Sequence, residues 1–109
     1  MSASALELET QMPNDKKSIR EKREQLLKLK FKEERLYKGL TQSQLAKEAS
    51  VQRHNVSDVE QGRSKDILTL WDLADGLGVP LGVIISRVDR AIEEREQEKR
   101  LGLVREEEE

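Results

Sequence analysis

Gly39, Gly62, Gly78 and Pro80 cut this chain into short segments, and each segment carries apolar residues at helical spacing. From Lys16 to Lys38 there is no Gly or Pro, good helix formers dominate, and Leu27, Phe31 and Arg35 recur at four-residue intervals, which predicts one long helix. Gly39 supplies the left-handed residue that closes it, and Thr41 with Gln44 three residues on has the spacing of a capping box. A second helix is expected from Gln42 to about Ala49, burying Leu45 and Ala46. A third runs from about Arg53 to Gln61, burying Val56 and Val59, with only Ser50 to Gln52 between them. Asp66 is a good N-cap for a fourth, in which Ile67, Leu70, Trp71, Leu73, Ala74 and Leu77 form the core stripe. After Pro80, Leu81, Ile84, Ile85, Val88 and Ile92 continue at i, i+3, i+4, i+7 and i+11 in a fifth.

The 109 residues suffice for one compact domain, and apolar residues are supplied for only about half of that length, so one core with polar extensions is expected. With 39% charged residues and a single Phe, Trp and Tyr, that core is small and aliphatic, and its stability modest unless the chain oligomerises. The lack of cysteine removes disulfides, thiol catalysis and Cys-based zinc sites. Nothing reads as a signal peptide or membrane span, so a soluble cytoplasmic protein is expected, and no internal repeat is evident.

The net charge of −2 conceals a division along the chain. Residues 1–15 carry Glu7, Glu9 and Asp15 and no base; residues 16–65 carry 14 Lys/Arg against 7 Asp/Glu; residues 66–109 carry 6 against 12. A basic middle between acidic ends suits a face for phosphates. The organisation expected is a flexible N-terminal arm over 1–15, a helical domain over 16–88, and a charged helical extension with an acidic tail over 89–109, ending in Glu106 to Glu109.

Two short helices joined by a three-residue turn, the second rich in side chains that donate and accept hydrogen bonds, have the geometry that enters the DNA major groove. Residues 42–61 are that unit. Ala46 lies where the helices cross; Leu45, Val51, Val56 and Val59 fill the wedge, leaving Gln52, Arg53, His54, Asn55, Ser57 and Asp58 outside. Through GLTQSQLAKEASVQRHNVSDVEQGR and ILTLWDLADGLGVPLGVII the chain resembles the Cro and phage-repressor (Xre) family of helix-turn-helix regulators over about half its length. The resemblance implies an all-α, five-helix lambda-repressor-like DNA-binding domain, here with an extended first helix and a long charged C-terminal helix.

It also implies that Gln42 touches a phosphate and braces the recognition helix, that Arg53, His54 and Asp58 face base edges, and that Ser43, Gln52 and Asn55 contact the DNA backbone. Arg53 has the strongest physical case, since a guanidinium pairs with guanine O6 and N7 in two hydrogen bonds worth about 1–3 kcal/mol of discrimination. His54 has no second His or Cys with which to share a metal, so no metal site and no cofactor are expected. For Asp58 three roles stay open: pairing with His54 one turn away, accepting from cytosine N4, or repelling phosphates. Arg35 and Glu60 match family positions that form a structural ion pair.

The run Lys16, Lys17, Arg20, Lys22, Arg23, Lys28, Lys30 and Lys32 reads mostly as a solvated face, because Glu21 and Glu24 offer local partners. Arg63 and Lys65 have no such neighbours in sequence and read as phosphate contacts. Trp71 reads as core packing. Two departures from the family pattern bear on geometry: Ser50 stands where Gly usually takes a left-handed conformation, and Gln52 is a poor N-cap.

Leu68 and Val83 fall at positions commonly polar in the family. With Val88 and Ile92 they are the candidates for a homodimer interface through the fifth helix and its extension, reading a two-fold site with half-sites about 34 Å apart. The function expected is a repressor or autoregulator of transcription acting on double-stranded DNA. The alternative is a protein-interaction module whose charged termini bind a partner such as a toxin. Enzymatic function is not expected, since no nucleophile, base and orienting group converge in the sequence.

Overall fold

The computed structural model describes the backbone of residues 2–102 and the side chains of residues 17–102. Among the described residues there are five helices and no strand: α1 (Ser2–Tyr37), α2 (Gln42–Ala49), α3 (Arg53–Glu60), α4 (Ile67–Leu77) and α5 (Leu81–Arg100). The helical backbone of α1 begins at Ser2, where the sequence suggested an arm over 1–15 and a start at Lys16. The acidic tail Glu106 to Glu109 lies outside the described residues.

Local chemistry sets the remaining boundaries. Thr41 caps α2 by accepting from the Gln44 backbone N–H at 3.0 Å, and Gln44 Oε1 accepts from the Thr41 N–H at 2.8 Å, which completes the capping box. Asp66 caps α4 through Oδ2, which accepts from the Thr69 N–H and hydroxyl, both at 3.0 Å. Ser50 closes α2 at φ 58°, a left-handed conformation that a glycine would adopt without strain, and the Val51 N–H then reaches back to the Ala46 carbonyl at 2.9 Å. No side chain caps α3 at Gln52, as its residue type suggested.

Phe31 is the residue that α1 contributes to the buried core cluster. With it pack Leu45, Ala46 and Ala49 of α2, Val56 and Val59 of α3, Leu70, Leu73, Ala74 and Leu77 of α4, and Leu81 and Ile84 of α5. Leu27, Leu40, Val51 and Val79 close the margins. The crossing of α2 and α4 is tight: a Cβ on Gly76 would sit 2.8 Å from the Ala49 Cβ and 2.9 Å from its Cα and backbone nitrogen. These helices meet with no room for a methyl group.

The sequence expectations for four residues are corrected here. Trp71 is 51% exposed and Ile67 is exposed with it, because the buried stripe of α4 is the narrow set Leu70, Leu73, Ala74 and Leu77, with Ile67 and Trp71 on its outer edge; Ile85 is exposed because α5 buries only Leu81, Ile84 and Val88. Val88, expected at a subunit interface, is instead 5% exposed and belongs to the interior of the single chain. Ile92 is half-buried in an open cleft between α1 and α5, while Leu68 and Val83 stay exposed. Among the described residues no single helix is long and apolar enough to cross a membrane.

Candidate nucleic-acid interface

The position of α3 is fixed from its inner side. Val56 and Val59 are buried against the core, and Glu60, at the last turn, enters a polar cluster that joins three elements. Arg35 of α1 donates from Nε to Glu60 Oε2 at 2.6 Å and from Nη2 to Glu60 Oε1 at 3.1 Å, a two-pronged pair. Its Nη1 donates to the Leu40 carbonyl at 2.7 Å, which pins the α1–α2 loop. Gln42, at the start of α2, donates to Glu60 Oε1 at 3.1 Å. The brace expected of Gln42 therefore runs through Glu60, and the Arg35–Glu60 pair expected from sequence is present.

With its inner face held, α3 turns Arg53 and His54 to solvent, with Asn55, Ser57 and Asp58 partly covered beside them. Arg53 shares an open cleft with Gln42, Ser43 and Thr41 at the N-terminus of α2, so a guanidinium and a helix start carrying a free hydroxyl, Ser43, border the same space. On the outer surface Gln61 donates to the Ser57 hydroxyl at 2.8 Å.

Asp58 meets Arg63, five residues on, at 3.5 Å, and among the described residues it makes no ion pair with His54. The Arg63 N–H also donates to the Asp58 carbonyl at 2.7 Å. Lys65 lies 3.6 Å from Glu24 of α1 and donates to the Gly62 carbonyl at 3.1 Å. Both findings correct the expectation that Arg63 and Lys65 lack acidic neighbours: the partners are brought up by the turn after α3 and by α1, which local spacing does not reveal. Glu24 correspondingly serves Lys65 and not the basic run of its own helix.

A second polar clasp was not anticipated. Glu34, buried on α1, accepts from Arg87 of α5 and lies 3.9 Å from Lys38. Glu34 and Arg87 are 53 residues apart, and no sequence motif links them. Gly76 likewise belongs to no motif; its signal in the sequence is a glycine inside an otherwise helical pattern. Among the described residues no group of His, Cys, Asp and Glu is arranged to hold a metal ion.

Comparison with known proteins agrees with this geometry. A helix-turn-helix family profile matches residues 31–84. The fold is similar to the crystal structure of a mutant of the restriction-modification controller protein C.Esp1396I, with a TM-score of 0.58 and 27% identity, over 64% of this chain and 90% of that one. No curated protein matches the chain by sequence. A profile match spanning the braced two-helix unit and the core around it, together with that structural likeness, places this chain in the Cro and phage-repressor (Xre) family of DNA-binding helix-turn-helix transcriptional regulators.

Proposed function

We propose that the protein is a repressor or autoregulator that binds a palindromic operator as a homodimer in the cytoplasm. The observation that carries this is the held recognition helix: Arg35, Gln42 and Glu60 fix α3 from within while Arg53 and His54 stand free outside. In this reading Arg53 and His54 contact base edges, and Asp58 orients Arg63 as well as screening it. Gln42, Ser43, Gln52, Asn55, Arg63 and Lys65 hold the DNA backbone.

One small domain reads too few base pairs to be selective, and pairing two of them solves this. The exposed Leu68 and Trp71 of α4 and the exposed Val83 of α5 are the apolar side chains offered to the partner in this reading, with the half-buried Ile92 further along α5. The 16–88 unit is the proposed domain and 89–109 its extension. The restriction-modification setting of the similar controller protein is one of the contexts this function fits.

Selection of bound sequences from a random DNA pool tests the whole reading. A two-fold motif with half-sites about 34 Å apart is expected, together with loss of base preference in Arg53→Ala. Recovery of no preferred sequence would refute it. Leu68→Glu is expected to shift sedimentation equilibrium toward monomer.

A further inference from the structure

We infer that the part of α1 preceding the family-like core is a second DNA-contacting element, in which Lys17 and Arg20 bind phosphates flanking the segment that α3 reads. This rests on the DNA-binding reading above.

Arg35, Phe31, Lys28, Glu24, Arg20 and Lys17 are separated by three or four residues and so share one side of α1. Three of them are anchored to the end of α3 and the turn after it. Arg35 grips Glu60, the Lys28 stem lies 3.4 Å from where a Cβ on Gly62 would stand, and Glu24 reaches Lys65. This side of the helix therefore tracks along the C-terminal end of α3 and then continues past it. At about 1.5 Å per residue, Arg20 lies roughly 6 Å and Lys17 roughly 10 Å beyond Glu24 along the axis. Both are exposed, and in this proposal they meet the duplex where it continues past the segment under α3.

Their charge is also available. Glu24, the acid best placed to neutralise Arg20 within the helix, is committed to Lys65, and among the described residues neither Lys17 nor Arg20 has an ion-pair partner. The solvated-face reading of the basic run assumed that Glu21 and Glu24 were free to blunt it; Glu24 is engaged elsewhere, and Glu21, four residues after Lys17, makes no ion pair among the described residues. The family profile begins at Phe31, so these cations lie outside the shared module and extend its footprint. Contacts of this kind grip phosphate and carry no base information, so they lengthen the site without changing its sequence.

The test compares wild type, Lys17→Gln/Arg20→Gln, and Arg90→Gln/Arg100→Gln on a duplex recovered by the selection above with ten extra base pairs at each end. The control removes the same charge from exposed positions of α5. Neutralising Lys17 and Arg20 in both protomers of the dimer is expected to flatten the slope of log affinity against log salt by about 3.6, about 1.8 per protomer, and to weaken binding at least roughly tenfold at low salt. Hydroxyl-radical protection should shrink at the edges of the site, base preference should be unchanged, and the control should match wild type. An unchanged slope and footprint in the α1 variant, or an equal loss in the control, overturns the inference while leaving the recognition-helix reading intact. Failure of wild type to select any duplex removes both.

Discussion

Glu34 and Arg35 are neighbours on α1, yet they hold two sides of the molecule by different means. On the α3 side the side chains of Arg35 and Glu60 are 9% and 4% exposed and every guanidinium nitrogen has a partner, and α2, which Glu60 also holds through Gln42, crosses α4 with no space for a methyl group. On the α5 side Glu34 is buried but Arg87 is 44% exposed, and further along the same two helices an open cleft of about 580 Å³ separates Gln25 and Leu26 from Ala91 and Ile92. Precision is concentrated where the recognition helix is aimed, and looser, screened contacts suffice where a long extension is merely attached. Both sides use an ion pair; burial of the second partner separates a rigid joint from a soft one.

The largest expected effect is at Glu60. Glu60→Ala leaves Arg35 buried with only the Leu40 carbonyl, and a loss of about 3–5 kcal/mol in urea unfolding is expected, enough to threaten folding at this chain length. Gly76→Ala tests the dense crossing: helix propensity favours alanine by about 1 kcal/mol, but contact with the Ala49 backbone should leave a net loss of about 1–3 kcal/mol. Arg87→Ala probes the soft side and should lose only about 1 kcal/mol, less in high salt, since solvent reaches the pair and Lys38 remains near Glu34. Equal losses in Glu60→Ala and Arg87→Ala would erase the distinction between the two sides. The smallest effect is a gain: Ser50→Gly relieves a left-handed serine and costs some backbone entropy, so a rise of about 0.5 kcal/mol in unfolding free energy is expected.

What could be read from sequence was what is decided locally. The Thr41–Gln44 box, the Asp66 cap and the strained Ser50 each depend on residues within four positions, and all three are found as expected. The α2 and α3 apolar sets were legible because short amphipathic helices have one buried face. Trp71 misled because periodicity assigns a residue to a stripe but not to its centre or edge, and α4 buries only the centre. The Glu34–Arg87 and Glu24–Lys65 pairs, and the meaning of Gly76, depend on which helices cross and at what distance, which no local pattern encodes. At the interface, the outward placement of Arg53 and His54 followed from their phase in the helix, whereas the pairing of Asp58 with Arg63 required the path of the following turn.

The missing methyl at Gly76 also bears on evolvability. Two of the three atoms that a side chain there would strike belong to the backbone of α2, so trimming Ala49 cannot open a place for it. The two helices would have to part, and because α3 hangs from α2 through the fixed turn at Ser50, the displacement would be transmitted to Arg53 and His54. Position 76, remote in sequence from every proposed DNA contact, acts in this way as a setting screw for the angle at which the protein meets its operator.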